Sequence, residues 1–217
     1  MSKVALIVAG GKGVRMNSRL PKQFLLLNRL PILMHTINLF ADFEKIIVVL
    51  PEPQFKYWKD LCKRNNFITN HTVVKGGENR FQSVKNGLAK ITSKCIVAIH
   101  DGVRPLAPKA LITHVISKTS KGFGVVPVLP INDSIRRVSK EKSINIDRKN
   151  LYKVQTPQCF MSSDIKRAYQ QNFSTKFTDD SSVLESIGGK ITTVLGDIKN
   201  IKITNKEDIK IAELFMQ

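Results

Sequence analysis

"LIVAGGKGVRMNSRLPKQF", running from Leu6 to Phe24, begins as an apolar run and breaks into glycine at Gly10. Beyond the break it carries Lys12, Arg15, Arg19 and Lys22. A buried strand that hands over to a glycine-rich, cationic loop presents backbone amides and positive charge together, which suits phosphate. Two familiar phosphate loops are excluded. A P-loop requires G-x-x-x-x-G-K-[ST], which occurs nowhere in the chain. A dinucleotide fingerprint requires G-x-G-x-x-G; Gly11 and Gly13 supply the first two glycines, but Met16 occupies the third place. Nor does the sequence of Asn17–Pro21 read as a helix running on from the turn. The remaining readings are a long phosphate cradle clamped by Arg15 and Lys22, and a plain turn with solvated lysines.

Outward from this stretch, short apolar runs rich in Val and Ile recur: "KVALIVA" (3–9), "KIIVVL" (45–50), "HTVVK" (71–75), "CIVAIH" (95–100) and "FGVVPVL" (123–129). Their length and β-branching predict strands, and their lack of strict alternation predicts burial on both faces. Between them the spacing turns helical. Ile32, Leu33, Ile37 and Phe40 share a face, with Pro31 suited to a first helical turn, as do Phe81, Val84, Leu88 and Ile91, and Leu111, Ile112, Val115 and Ile116. A helix is also expected near Ser162–Gln171. Strands alternating with helices predict an α/β fold with a doubly wound, mostly parallel sheet. Ligands of such sheets bind outside the carboxyl ends of the strands. The loops there read "GGKGVRM", "GGENR" and "HDGVRP", all with glycine and charge. Residues 131–152 break the rhythm: "SIRRV" and "SINI" around "SKEK" predict a β-hairpin arm projecting from the sheet.

The chain has 217 residues, 42% of them hydrophobic and 24% charged, which predicts one domain (1–217) with this arm as its appendage. No apolar run approaches the roughly 20 residues that span a bilayer, and the first one does not read as a signal peptide. Cys62, Cys95 and Cys159 are odd in number and lack any C-x-x-C spacing, so reduced thiols and a cytoplasmic protein are expected. The net charge of +18 admits nucleic acid or polyanionic small molecules as partners, yet the basic residues are spread along the chain. No aromatic stacking motif accompanies them.

"AGGKGVRM" followed by "PKQF" resembles the signature of nucleotidyltransferases that join a nucleoside triphosphate to a phosphorylated alcohol. "GGENRFQSV", "HDGVRP", "DRKNLYKVQTPQCF", "TDDSSVLE" and "NIKITNKEDIKIAE" narrow the resemblance to the 2-C-methyl-D-erythritol 4-phosphate cytidylyltransferase family, nearly end to end. The resemblance implies nucleotide binding by Ala9, Gly10, Gly11, Gly13, Gly77, Glu78, Ser83 and Gly102. It implies Arg15 and Lys22 as catalytic cations at the α-phosphate, Asp101 as the ligand of Mg2+, and Arg104, Ser134, Arg148, Thr178 and Lys202 at the alcohol phosphate. Arg148 and Lys202 would also aim that phosphate in the catalytic step. Glu78 stands where aspartate is frequent in the family, and Ser134 where threonine is common. Asp179, Asp180 and Asp197 are the next carboxylates for a metal.

The resemblance thus implies an enzyme that takes CTP and 2-C-methyl-D-erythritol 4-phosphate, with no nucleic acid or membrane partner, as a homodimer through the arm. Ribitol-5-phosphate cytidylyltransferase is the competing enzyme, and a basic nucleic-acid-binding protein the competing class. The histidines (35, 71, 100, 114) receive no catalytic role, because the attacking phosphate is already ionised near neutral pH.

Overall fold

The first apolar run becomes the middle of a sheet. The computed structural model describes residues 1–11 and 20–217, so the expected roles of Gly13 and Arg15 lie outside the described residues. In chain order the elements begin with β1 (Lys3–Val8), β2 (Leu26–Leu27), β3 (Leu30–Pro31), α1 (Ile32–Asn38), β4 (Lys45–Leu50) and α2 (Phe55–Arg64). They continue with β5 (Thr72–Lys75), α3 (Arg80–Leu88), β6 (Ile96–Asp101), α4 (Lys109–Lys118), β7 (Phe123–Pro130), β8 (Ile135–Val138) and β9 (Ser143–Ile146). The last are β10 (Tyr152–Val154), β11 (Gln158–Met161), α5 (Ser162–Ala168), α6 (Asp180–Glu185), β12 (Lys190–Leu195) and α7 (Lys206–Phe215).

The main sheet runs β10–β7–β11–β6–β1–β4–β5, with β12 added parallel to β7. β1 lies parallel to β4 and β6, in register Leu6↔Ile47 and Leu6↔Ile99, and β5 lies parallel to β4. β11 is antiparallel to both β6 and β7, so β7 points the same way as β6. The carboxyl ends of β1, β4, β5, β6, β7 and β12 therefore share one edge. This is the expected α/β class, refined by the antiparallel β10 and β11.

Alternate residues of each central strand feed opposite layers. Ala5 and Ile7 of β1 join Ile46, Val48 and Leu50 under residues of α1, α2 and α4, among them Leu33, Trp58 and Val115. Val4 and Leu6 join Ile47 and Val49 against Phe81, Val84 and Leu88 of α3, Ile165 of α5 and Leu184 of α6. A strand walled on both sides has no polar face, which is why the sequence shows runs rather than alternation.

Two local expectations are corrected. Pro31 closes β3 opposite Leu26 and precedes α1 instead of entering it. The reason is a tight β2–β3 turn in which Asn28 and Arg29 both take positive φ (44° and 67°), the geometry of a two-residue hairpin. α2 had no counterpart among the expected helices, although Phe55, Trp58, Leu61 and Cys62 form its apolar face. β8 and β9 match the expected hairpin strands and, among the described residues, pair only with each other, from Ile135↔Ile146 to Val138↔Ser143.

α3 lies unusually close to the sheet at Gly87. A Cβ there would fall 2.3 Å from Leu6 Cδ1 and 3.0 Å from Val49 Cγ2. Gly87→Ala is expected to destabilise the protein by about 1–3 kcal/mol through overpacking, despite alanine's better helix propensity. Urea unfolding at fixed m checks this; an unchanged midpoint would mean that the helix backs away at no cost.

Candidate active site

Three loops meet at the carboxyl edge. β1 leaves the sheet as Ala9-Gly10-Gly11, with Ala9 N still donating to Val49 O at 2.9 Å. β6 leaves at Gly102, whose N–H donates to Val8 O at 2.9 Å and whose missing Cβ would sit 2.7 Å from Ala9 Cβ. Glycine at this place lets the two chains touch. After β5, Gly77 N–H donates to the buried Ser83 Oγ at 3.1 Å, and Asn79 caps α3 by accepting from Gln82 N–H. Gly10 backs onto the same Ser83 hydroxyl, 3.6 Å from where its Cβ would be. The result is a bay of small residues with exposed backbone at its rim. A flat base or a phosphate can approach such a rim, as it could not a bulky one.

Beside the bay, β6 ends in a carboxylate. Asp101 is 8% exposed. Its Oδ2 lies 3.1 Å from Lys202 Nζ and 3.2 Å from Arg104 Nε, and its Oδ1 lies 4.0 Å from Arg80 Nε. Burial alone would favour the neutral acid, but Lys202, Arg80 and Arg104 outweigh it and hold Asp101 well below the usual carboxylate range. Its backbone N–H donates to Thr156 Oγ1 at 3.1 Å. His100 beneath it is fully buried, and burial pushes its pKa down to about 4. The neutral ring has one consistent arrangement: Nε2–H donates to Arg104 O at 3.0 Å, and Nδ1 accepts from the Thr156 hydroxyl at 3.0 Å. Both ring nitrogens are thus occupied within the fold.

The cations are held by packing and by backbone carbonyls. Val103 and Ile203 share a small core with Leu27, Ile32 and Ala212, and Ile203 N–H donates to Val103 O at 2.9 Å. This fastens Arg104 and Lys202, each one residue along the chain, into one unit. Arg104 Nη1 donates to Asn200 O at 2.7 Å. The Asn200 amide donates to Thr156 O at 2.8 Å, and Gln155 Nε2 donates to Asp197 O at 2.8 Å. Lys22 is 9% exposed and donates to Ile203 O at 3.1 Å, while its Cε lies 4.0 Å from the position of a Cβ on Gly11. Lys22 thus stands between the glycine loop and the Lys202 segment.

The structure therefore brings together Ala9, Gly10, Gly11, Lys22, Gly77, Ser83, Asp101, Gly102, Arg104 and Lys202. It does not bring the others into these contacts. Glu78, Ser134, Arg148 and Thr178 are all exposed. The Arg148 guanidinium bonds Asn132 O, and Thr178 N–H donates to Ser182 Oγ. Sequence reasoning missed Arg80, Gln155, Thr156 and Asn200. A charged residue directly after a glycine loop was a usable signal for Arg80; polar braces such as Asn200 leave none.

Asp101 offers hard oxygen ligation at the strand end, kept ionised by its surroundings. Among the described residues there is no group of three or more His, Cys, Asp or Glu side chains able to hold a metal ion. Asp101 is the carboxylate of this site that could hold a cation, and its oxygens here face Lys202, Arg104 and Arg80.

A sequence profile of 2-C-methyl-D-erythritol 4-phosphate cytidylyltransferase matches residues 3–217. The chain is 46% identical over 217 residues to the enzyme of that name from Azobacteroides pseudotrichonymphae, covering 97% of each chain. It is 42% identical over 219 residues to the one from Phocaeicola vulgatus, covering both chains completely. The crystal structure of Francisella tularensis 2-C-methyl-D-erythritol 4-phosphate cytidylyltransferase superposes with a TM-score of 0.83 at 29% identity, covering 99% of each chain.

His100 makes stability depend on pH with a definite sign. The folded protein keeps the ring neutral down to about pH 4, whereas the unfolded chain protonates it near 6.5. The contribution is fully present above pH 6.5 and is lost as pH falls toward 4, to the extent of about 3 kcal/mol. In His100→Gln, which cannot ionise, the loss of unfolding free energy between pH 6.5 and 4 is expected to shrink by that order. Equal pH slopes for the two proteins would show that the ring already carries its proton when folded.

Proposed function

The chain belongs to the 2-C-methyl-D-erythritol 4-phosphate cytidylyltransferase family, and from that premise we propose how its residues divide the reaction. It is a cytidylyltransferase: CMP passes from CTP to 2-C-methyl-D-erythritol 4-phosphate, giving 4-diphosphocytidyl-2-C-methyl-D-erythritol and pyrophosphate in isoprenoid biosynthesis. An oxygen of the alcohol phosphate attacks the α-phosphorus of CTP, and the bond to the β-phosphate oxygen breaks. The nucleophile is already ionised, so the protein supplies position and charge, not a base.

The observation that carries the assignment of roles is the convergence of Lys202, Arg104 and Arg80 on Asp101, with Lys22 standing between the Lys202 segment and the glycine bay. The bay formed by Ala9, Gly10, Gly11, Gly77, Ser83 and Gly102 receives the nucleotide, and Gly13 and Glu78 share in binding it. Lys22, with Arg15, stabilises charge that grows on the α-phosphate and on the departing pyrophosphate. Arg104 and Lys202 hold the alcohol phosphate, and Thr178 and Ser134 contact the alcohol. The metal is read as magnesium, which Asp101 would hold together with phosphate oxygens and which would neutralise triphosphate charge.

Residues 131–152 serve as an arm of the single domain 1–217, and through it two copies form a homodimer. Arg148 then reaches the partner's alcohol phosphate. Leu151, Tyr152 and Val154 leave 38%, 51% and 46% of their surface exposed beside that arm, an apolar edge that a second copy would cover. Neither nucleic acid nor a membrane enters this reading, and the protein works in the cytoplasm. No helix among the described residues is long and apolar enough to cross a membrane.

Pyrophosphate release from CTP and a divalent metal, with each alcohol phosphate supplied in turn, tests the substrate. 2-C-methyl-D-erythritol 4-phosphate is expected to be turned over fastest; faster turnover of ribitol 5-phosphate would move the assignment to that alcohol.

Shared sites predict complementation. Lys22→Ala and Arg148→Ala are each expected to be inactive. Mixed under subunit exchange, they leave one site in each mixed dimer intact, so activity returns toward about a quarter of wild type. Proven exchange without recovered activity would place Arg148 in its own subunit's site.

A further inference from the structure

Arg80 and Asp180 stand 100 residues apart in the chain, and neither holds a substrate in the division of roles around Lys22, Arg104 and Lys202. Arg80 opens α3, directly after the glycine loop on the nucleotide side, and Asp180 opens α6, directly after Thr178 and Asp179. Their side chains meet fork to fork, with Nη1–Oδ1 at 2.8 Å and Nη2–Oδ2 at 2.6 Å. The Asp180 side chain is completely enclosed, whereas the Arg80 side chain keeps 32% of its surface exposed. With both terminal nitrogens engaged, Arg80 turns Nε toward Asp101 Oδ1, 4.0 Å away.

The anchor on the acidic side is built from several elements. Tyr169 donates its hydroxyl to Asp180 Oδ1 at 2.6 Å, and its ring stacks on Phe81 with centroids 4.6 Å apart. Asp179 closes a capping box with Ser182 and accepts from Gln158 Nε2 at 2.8 Å. Gln158 Oε1 in turn accepts from Ser181 N–H at 2.9 Å, tying the start of α6 to β11. Burying an ion pair costs desolvation that an apolar pair would not incur, so a pair this enclosed is weak evidence for stability as its purpose. What the fork does supply is direction. A bidentate contact fixes the plane of a guanidinium as a single contact does not.

We propose that Asp180 is a positioning residue acting through Arg80: it fixes the guanidinium beside Asp101 and ties the nucleotide-side loop to the segment carrying Thr178. Without the Asp180 charge, Asp101 is the remaining carboxylate within 4.0 Å of Arg80 among the described residues. The guanidinium then moves onto Asp101 and competes there with Lys202 and Arg104. The two phosphate-bearing substrates lose their relative alignment, and alignment errors of about 1 Å cost rate on the order of 10²-fold. The inference rests on cytidylyl transfer being the reaction at this site.

The test uses the full-length protein and steady-state kinetics with both substrates. Wild-type turnover is measured first, since its absence overturns the reaction assignment itself. Asp180→Asn and Arg80→Lys, which keeps the charge but loses the fork, are each expected to lower kcat by roughly 10- to 100-fold. KM for CTP is expected to stay within about threefold. Because Asp180 acts through Arg80, the double variant should be no slower than Arg80→Lys alone, within about twofold. Tyr169→Phe removes one hydrogen bond and leaves the fork, so it should cost only about 2- to 5-fold. Should Asp180→Asn fail to fold, Arg80→Lys and Tyr169→Phe still decide. Wild-type kcat in Arg80→Lys, losses that multiply in the double variant, or a lowered melting temperature with kcat intact would each overturn the proposal.

Discussion

A carboxylate removed from water at the end of a strand must be given counter-charge or lose its own. Asp101 is that carboxylate, and the loops around it are arranged to satisfy it. Lys202 arrives from the segment before α7, Arg104 from the turn after β6, and Arg80 from the first turn of α3. The Arg104 and Lys202 segments also meet through the apolar Val103–Ile203 core beneath them. The charge at one point explains why three stretches separated in sequence converge there, and why the convergence lies on the carboxyl edge of the sheet.

Cations gathered around an acid are of catalytic use only if they stay put. Long lysine and arginine side chains carry much rotamer entropy, and orienting them during the reaction would add to the barrier. Here that ordering is completed during folding. Arg104 is bonded to both Asp101 and the Asn200 carbonyl, and Lys22 to the Ile203 carbonyl. The Val103–Ile203 core underneath is apolar and closed. The chain from Asp197 to Thr204 has no regular secondary structure, yet Gln155 and Asn200 supply it with the hydrogen bonds that a sheet would otherwise provide. A loop braced in this way can hold Lys202 in place beside Asp101.

The neutral glycine bay and the cationic cluster are complementary halves of one site. Glycine at Gly77 and Gly102 lets the loops pack directly against Gln82 and Ala9, and β6 delivers Gly102 and Asp101 side by side. The parallel pairing of β1 with β6 makes this possible, because it brings Val8 level with Asp101. One register shift would turn Asp101 toward the opposite face of the sheet.

Apolar runs walled on both sides can only be central strands, so the layered α/β fold was legible in the letters alone. The glycine loops were legible too, because a missing side chain at a strand end is visible letter by letter, and the end-to-end motif match marked the family. Asp101, Arg104 and Lys202 stood out as residue types in those motifs. Which groups touch one another was settled only on folding. That Lys22 bonds the carbonyl of Ile203, 181 residues away, depends on topology and on a shared apolar core, which no local pattern encodes. The Arg80–Asp180 fork and the Thr156–His100–Arg104 chain are of the same kind. Hydrogen-bonding residues such as Asn200 and Gln155 look alike on a surface and in a core. Their role is set by the desolvation of the groups they meet, and that exists only once the chain has folded.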